Sequence, residues 1–478
     1  MIDSLLAHCR SLVSTEVYGQ PASRPIIAVR FRPPFWETLE RLRALRASLV
    51  SQLIRNVISG SAGSMMGALT TLVSYPIYLR YLGYERYGLW LVLGTVVSFL
   101  QLCNFGLGLA VTKIVAEEKT RNTEGIARHV STALTTLGTL GGIVLLVVLR
   151  FRHELVHVLG LHGENAVIAI SLLPWIGLLS VFALVTDVLN STLAGLGRFD
   201  LANYTQAGAQ TLSACCSVGL LVLGHGLVSL LFGNWLMYIT LQIVNTIYIV
   251  RIAKVPACSL IGWHKNSFCR LVRFGGGVFA GGLLNMLLNP FNRVVLARFG
   301  GLSAVTVYDI AFTTSLRLRG FLEAGLRAIM PEISRVGVGG NPSAKAAIQR
   351  INRHALNMIL LGGIPGLALA AVFAGPVLRI WLGARYSGVL PSAVRIAMLG
   401  SFLSLVGTPA FYTLMGLGKT KQVLASFAIQ SGANVLVVAI AVALFGSVTA
   451  GTVVSGVAAG MALSTCYLIA QKNEAVPR

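Results

Sequence analysis

Apolar runs of about twenty residues recur along the whole of this chain and limit the folds that it can adopt. A helix of that length crosses the hydrocarbon core of a bilayer, where only helices and closed barrels satisfy all of their backbone hydrogen bonds. Charged residues make up 11% of the chain and its mean hydropathy is +0.76, whereas about 25% of residues are charged in soluble domains. We therefore predict an all-α, polytopic membrane protein.

The runs divide into twelve predicted membrane segments. The pattern is plainest in the third, sixth, ninth, eleventh and twelfth, while the first, seventh and eighth are rich in glycine, asparagine or charge. The segments centre on residues 57–79, 87–111, 131–149, 167–189, 206–224, 228–250, 274–297, 304–330, 355–374, 391–415, 422–445 and 449–470.

The distribution of basic residues predicts the orientation of the chain. Its net charge is +22, which in a soluble protein would suggest a nucleic-acid partner. Here 26 Lys and Arg fall in the termini and alternate loops and 9 in the other loops. The positive-inside rule then places both termini in the cytoplasm, and no nucleic-acid partner is expected.

Residues 1–50 form a basic arm without the apolar core of a signal peptide. In its second part apolar residues recur at helical spacing between arginines, at Trp36, Leu39, Leu42, Leu45 and Leu49. This pattern predicts a short amphipathic helix on an anionic membrane surface.

An internal repeat relates the two parts of the chain. TLAGLGR at 192–198 returns as TLMGLGK at 413–419, an offset of 221 residues, and Gly83 and Gly108 recur as Gly300 and Gly325 at an offset of 217. Because six segments separate the copies, the repeat is parallel, which predicts two pseudo-symmetric six-helix bundles with a substrate site between them. We predict lobes at 51–255 and 271–478 with a basic cytoplasmic linker at 256–270.

One predicted membrane segment, the eighth, contains several charged residues. Residues 305–335 contain Asp309, Arg317, Arg319, Glu323 and Arg327, and each charge at the bilayer centre costs about 2.5–3.5 kcal/mol. Three of them recur at intervals of four residues and therefore share one helix face. We expect a wet internal cavity that receives an anion; the alternative is a helix that pairs its charges internally or lies at the interface.

Two motifs resemble a known family. Tyr87-Gly88-Leu89-Trp90 with Phe105-Gly106-Leu107-Gly108, and Tyr308 with Met330-Pro331-Glu332-Ile333-Ser334-Arg335, are similar to the polysaccharide transporter, or oligosaccharide flippase, family. That family belongs to the multidrug/oligosaccharidyl-lipid/polysaccharide exporter superfamily. The resemblance implies two six-helix bundles around a central cavity. It also implies a bacterial inner-membrane flippase, not an enzyme, that moves undecaprenyl-pyrophosphate-linked oligosaccharide outward for O-antigen or exopolysaccharide synthesis.

The resemblance gives the charged residues a role. Basic residues that line the cavity in this family are thought to engage the pyrophosphate, and Arg suits phosphate because its planar fork binds two oxygens. Arg317, Arg319, Arg327 and Arg293 are the candidates; Lys113 and Arg80 either contribute at the cavity mouth or anchor the interface.

Other polar residues of the membrane segments have two interpretations. Asn285, Asn289 and Asn292 share one face and either bind sugar hydroxyls or hold their helix against its neighbours. Asp309, Asp187 and Glu323 either bind a coupling ion or proton or pair with an arginine, and we favour pairing.

The first segment has no acidic residue, unlike many drug-extruding relatives, which weakens the alternative of a multidrug cation antiporter. A membrane glycosyltransferase or polymerase is a further alternative, although the outer loops are short. No nucleotide motif appears, and His153, His157 and His162 are expected to lie in an ordinary solvated loop, so we predict no cofactor and no metal. The expected partners are the lipid-linked oligosaccharide, membrane lipids and other polysaccharide assembly proteins.

Overall fold

The computed structural model describes residues 34–119, 123–254, 256–324, 326, 333 and 342–475. Within these ranges the regular structure is helical and contains no β-strand. The chain divides into two units, Met1–Ile54 and Arg55–Arg478. In the first unit the backbone is helical from Pro34 onward, whereas the side chains of the predicted amphipathic face lie outside the described set.

Fourteen α-helices follow one another in the described ranges, and a π-helical turn, Ile359–Gly363, joins the tenth to the eleventh. The helices are α1 (Pro34–Gln101), α2 (Leu107–Glu118), α3 (Thr123–Arg150), α4 (Arg152–Val158), α5 (Gly163–Gly195), α6 (Phe199–Val222), α7 (Val228–Ala253), α8 (Lys265–Phe299), α9 (Leu302–Ala324), α10 (Pro342–Met358), α11 (Ile364–Leu382), α12 (Leu390–Gly416), α13 (Thr420–Phe445) and α14 (Ala450–Ala475). We call residues 55–254 the first half and residues 265–475 the second half.

Seven spans in the described part of the chain are long and apolar enough to cross a membrane. They contain the third, fourth, sixth, ninth, tenth, eleventh and twelfth predicted segments, in α3, α5, α7, α10 with α11, α12, α13 and α14. The other five predicted segments fall on the more polar helices α1, α2, α6, α8 and α9. The polytopic all-α fold is therefore confirmed, while the count of twelve stays a prediction.

Two backbone breaks shape the start of the first half. α1 is interrupted at Gly83, whose φ of 73° separates the first and second predicted segments. The second segment, predicted to run from 87 to 111, is not one helix: a 3-10 turn at Leu102–Asn104 is followed by left-handed residues at Phe105 (φ 46°) and Gly106 (φ 73°). Two consecutive left-handed residues cannot continue a right-handed helix, so α2 starts afresh at Leu107.

The repeated heptamer forms the same turn in both halves. α5 and α12 each end at a left-handed glycine, with φ of 78° at Gly197 and 72° at Gly418. The hydrogen bond that closes the first turn runs over 2.9 Å from Arg198 N to Leu193 O, and its counterpart runs over 2.9 Å from Lys419 N to Leu414 O. This is the helix-ending arrangement that glycine favours because it has no Cβ.

The helices that follow the two turns keep the same register, since α6 and α13 start 221 residues apart. The second predicted correspondence is off by one residue, because the left-handed glycine that matches Gly83 is Gly301 (φ 85°) and not Gly300 (φ −123°). Gly325, the predicted counterpart of Gly108, lies outside the described residues.

Candidate functional site

A polar cavity of about 340 Å³ lies inside the second half, between α8, α9, α12, α13 and α14. Its charged lining residues are Arg319 and Glu323, both from α9, and the amides of Asn289 and Gln430 face the same space. Four small hydroxyl side chains complete its polar lining: Ser404, Thr408, Ser426 and Ser464. A space of this composition can hold a polar or anionic group away from lipid.

Arg319 and Glu323 form an ion pair in this cavity. Arg319 Nε lies 3.3 Å from Glu323 Oε2, and the two side chains are 20% and 21% exposed. Tyr412 donates a hydrogen bond of 3.1 Å to the other carboxylate oxygen of Glu323. Arg319 Nε makes no hydrogen bond to any described group, so its contact with Glu323 is a close charge pair without hydrogen-bond alignment. Because that nitrogen is buried, its unused hydrogen-bonding capacity lies inside the helix packing.

Arg317 occupies a different space from Arg319. Its side chain is exposed, and a Cβ placed on Gly67 in α1 would lie 3.6 Å from Arg317 Nη1 and 3.0 Å from Gln210 Oε1. The guanidinium thus reaches from α9 to α1 and α6 of the first half, and the described residues offer it no carboxylate partner. The structure therefore does not bring Arg317 and Arg319 into one cavity, and Arg327 lies outside the described residues.

Arg293, predicted to bind phosphate, is held by a buried carboxylate. Its guanidinium pairs with Asp309, and the two side chains are 17% and 3% exposed. Tyr75 of the first half donates a hydrogen bond of 2.7 Å to the second oxygen of Asp309. The favoured pairing of Asp309 is therefore present, and it engages the Arg293 guanidinium, whose phosphate binding stays a prediction.

The three asparagines of α8 do not act as one face. Asn289 lines the cavity of the second half, and its Oδ1 is buried without a described hydrogen-bond partner. Asn292 is fully buried; it donates to the Tyr308 hydroxyl over 3.1 Å and accepts from Asn434 over 2.7 Å. The side chain of Asn285 lies outside the described set. Asn292 does not line the cavity, and both of its hydrogen bonds go to buried side chains of neighbouring helices, which gives it the packing role.

Asp187 lines a smaller cavity, of about 280 Å³, which the first half forms together with Met286 of α8. Asn104 donates a hydrogen bond to its carboxylate, so the arginine partner that we favoured is replaced by an amide. This cavity and the one around Arg319 are equivalent under the 221-residue repeat. Lining residues of the first match lining residues of the second in five pairs: Ala183 with Ser404, Thr186 with Gly407, Asp187 with Thr408, Asn190 with Phe411, and Gln206 with Phe427.

The remaining two candidates lie in distant parts of the protein. Lys113 lines a third cavity, between α2 and the start of α8. Arg80 is exposed, and its carbonyl accepts a hydrogen bond of 3.1 Å from Arg385 Nη2. Neither residue lines the cavity around Arg319.

The comparisons with known proteins agree with this architecture. Residues 53–336 match the family described as Polysaccharide biosynthesis protein. The chain belongs to this family. A relative from Shigella flexneri, provisionally named an O-antigen transporter, is 22% identical over 384 residues, which cover 77% of this chain and 86% of the relative.

Two kinds of solved structure share the fold of this polysaccharide biosynthesis protein. An inward-facing multidrug-resistance MATE transporter of the MOP superfamily is 17% identical, with a TM-score of 0.69, and the match covers 88% of this chain and 98% of the transporter. The lipid II flippase MurJ, in an inward closed conformation, is 14% identical, with a TM-score of 0.69 and 87% of each chain covered. The predicted family and fold class are confirmed.

In this polysaccharide biosynthesis protein, one set of contacts between the halves lies around the kink of α1. Thr306 of α9 donates a hydrogen bond of 2.7 Å to the carbonyl of Tyr84. Trp381 Nε1 of α11 donates one of 2.7 Å to the carbonyl of Leu72. A Cβ on Gly88 would lie 2.0 Å from the carbonyl oxygen of Leu302, so only glycine fits there. Together with Tyr75 and Asp309, these contacts close one end of the protein, which we call the sealed end.

The sequence analysis did not predict several residues of these sites. Tyr75 and Trp381 connect the halves at the sealed end, and Tyr412 holds Glu323 in the cavity. No spacing rule joins residues that lie this far apart in the chain. The signal that was present is the Tyr87-Gly88 motif, since a glycine inside a helical segment marks a close approach of backbone.

Proposed function

We propose that this protein is a flippase that moves undecaprenyl-pyrophosphate-linked oligosaccharide from the inner to the outer leaflet of the bacterial inner membrane. It acts by alternating access of its two halves and catalyses no covalent reaction. The observation that carries the proposal is the exposed guanidinium of Arg317, which lies between α9 and the first half with no carboxylate partner among the described residues.

Arg317 suits the headgroup of such a lipid. A guanidinium binds two phosphate oxygens at once, and a charge-assisted hydrogen bond is about twice as strong as a neutral one. Arg319, two residues along α9, keeps a second cation in the neighbouring cavity, where Glu323 compensates it until an anion arrives. The hydroxyl and amide groups of that cavity suit sugar hydroxyls.

The membrane potential favours the proposed direction. Orientation by the positive-inside rule puts both termini in the cytoplasm and the sealed end on the outer side. Outward movement of an anionic phosphate down the potential yields about 2.3 kcal/mol per charge per 100 mV. The conformation described here, closed at the outer end, is then the one that receives substrate from the inner leaflet, and the O-antigen transporter and lipid II flippase among its relatives support this substrate class.

The second candidate function is export of cationic drugs, which the likeness to a MATE transporter favours. The positive charge between α9 and the first half argues against drug export, because Arg317 would repel a cation. The Asp187 cavity of the first half is the part of the protein that fits a cation best.

The test is a strain that lacks the protein and is complemented with variants. Arg317→Gln combined with Arg319→Gln should abolish surface polysaccharide and leave lipid-linked oligosaccharide in the inner leaflet, at normal protein level. Arg86→Gln combined with Arg128→Gln is the matched control, because both arginines are more than half exposed and lie in surface ion pairs. Normal polysaccharide in the first variant, or dye export that both double variants retain, would instead favour the drug transporter.

A further inference from the structure

A cavity of about 580 Å³ opens between the second part of α2 and the start of α8. Six of its lining residues carry the argument that follows: Lys113, Glu117, Cys269, Arg270, Arg273 and Phe274. The two helices meet closely at one end of it, where a Cβ on Gly275 would lie 3.0 Å from the backbone of Gly106. Three cations and one carboxylate face this space, which none of the residues around Arg319 lines.

The charges of the cavity are only partly paired. Arg270 donates hydrogen bonds of 2.7 Å to Glu117 and 2.8 Å to Glu118. These hydrogen bonds, first of all the one to Glu118, raise the pKa of the Arg270 guanidinium, which precedes the predicted segment at 274–297. Lys113 Nζ lies 3.8 Å from Glu117, a longer contact than the one that Arg270 makes with the same carboxylate. Arg273 is exposed, with no acidic partner among the described residues. The cavity therefore presents net positive charge.

The wall of the cavity and its surroundings are apolar. The ammonium of Lys113 lies 4.1 Å from the ring centroid of Phe274. The loop before α8 exposes Ile261 (83%) and Trp263 (53%), and Trp263 packs against Phe268, beside Cys269, with 5.9 Å between ring centroids. Exposed Trp is typical of the boundary between headgroups and acyl chains, where Lys and Arg extend their charges toward water.

We propose that this cavity binds the phosphate group of an anionic membrane lipid. Arg273 and Lys113 contact the phosphate, Arg270 is held in place by Glu117 and Glu118, and the acyl chains lie along the apolar surface beside Phe274. A free phosphate ion would leave that apolar surface exposed, whereas the acyl chains of a lipid cover it. We therefore assign the site to a lipid. The site is independent of the proposed transport function, because it uses neither Arg317 nor Arg319.

Cys269 provides a probe inside the cavity. A protein whose only cysteine is Cys269 is placed in phosphatidylcholine vesicles with or without phosphatidylglycerol, and alkylation by neutral iodoacetamide is timed. Phosphatidylglycerol at about ten times its dissociation constant should slow the reaction roughly tenfold. A protein whose only cysteine is Cys258, an exposed thiol of the preceding loop, is the reference for general effects of surface charge.

Variants assign the protection to the cavity. Lys113→Gln with Arg273→Gln should remove it, whereas Arg251→Gln with Lys421→Gln, which removes two exposed cations outside the cavity, should keep it. Arg317→Gln with Arg319→Gln should also keep it, which separates this site from the transport function. Equal protection in all variants, or equal slowing of Cys258 and Cys269, overturns the proposal.

The source of the phosphate is resolved by two further additions to phosphatidylcholine vesicles. Protection by a polyprenyl pyrophosphate and not by phosphatidylglycerol supports a lipid-phosphate site that is filled by the transported class of lipid. Protection by soluble pyrophosphate as strong as that by either lipid overturns the lipid assignment, because the acyl chains would then contribute nothing.

Discussion

The hydroxyl of Tyr75 donates a hydrogen bond of 2.7 Å to the buried carboxylate of Asp309, across the boundary between the two halves. The carboxylate is neutralised within its own half by Arg293. In this contact between the halves the first half contributes a neutral phenol, which can move away without leaving a charge unpaired. The ring of Tyr75 also packs edge-on against Tyr87 and Trp381, with centroids 5.8 Å and 6.2 Å away.

Tyr75→Phe should loosen the sealed end and leave the rest of the protein intact. The ring packing survives, while a hydrogen bond to a charged group, a contact that contributes about 1.5–3 kcal/mol, is lost. We expect a cysteine that replaces the buried Ser74 to react with a water-soluble maleimide at least tenfold faster in the Phe variant. An unchanged reaction rate would show that Tyr75 does not hold this end closed.

Arg293 and Asp309 should be strongly coupled in stability. Removing either partner leaves a buried charge uncompensated, which costs about 3–5 kcal/mol. We expect Arg293→Met and Asp309→Leu each to lower the thermal unfolding midpoint in detergent sharply, and the double variant to recover most of the loss. Additive losses in the double variant would contradict the ion pair.

Gly88→Ala should prevent closure of the sealed end. The new Cβ would lie 2.0 Å from the carbonyl oxygen of Leu302, which is backbone and cannot rotate away. Gly94→Ala on the same helix has no atom within 4 Å and should be neutral or slightly stabilising. Surface polysaccharide in complemented strains should be lost in the first variant and kept in the second; equal output from both would argue against the close contact.

The Arg317→Lys variant should have an initial transport rate below that of the native protein and above that of the Arg317→Gln variant. Lysine keeps the positive charge and loses the planar fork that binds two oxygens at once. One lost charge-assisted hydrogen bond corresponds to about 1.5–3 kcal/mol, or roughly 10- to 100-fold in the initial transport rate. Flipping of a fluorescent lipid-linked sugar in vesicles measures this order, and a Lys variant as inactive as the Gln variant would indicate that geometry alone decides.

Gly418→Ala should destabilise the second half through backbone strain alone. The residue has φ of 72°, and a Cβ there would meet no atom within 4 Å. Left-handed backbone costs a residue with a Cβ about 1–2 kcal/mol. Gly432→Ala in α13, equally free of contacts but at ordinary helical φ, is the control, and thermal unfolding in detergent should separate the two.

The features that could be predicted from the sequence are those that recur along it, namely the apolar runs and the repeated heptamer. Apolar runs near twenty residues follow directly from bilayer thickness, and the heptamer at 192–198 and 413–419 fixed the register of the repeat because its glycines are required by the turn. The charges of α9 could be recognised as exceptional because a lipid-facing helix could not carry them.

The sites were less predictable because helical spacing says which residues share a face and not what that face meets. Arg317 and Arg319, two residues apart, point into different spaces, and Arg293 is taken by Asp309 in the next helix. Asn104, not an arginine, contacts Asp187 because a break at Phe105 places it there. Contacts of this kind depend on tertiary packing between distant parts of the chain.

The two matched glycine turns give both halves the same corner, yet the cavities beside them differ in charge. Asp187 of the first cavity corresponds to the neutral Thr408 of the second, which instead carries Arg319 and Glu323. A chimaera that contained two copies of one half would therefore repeat the backbone plan and hold only one of the two kinds of lining.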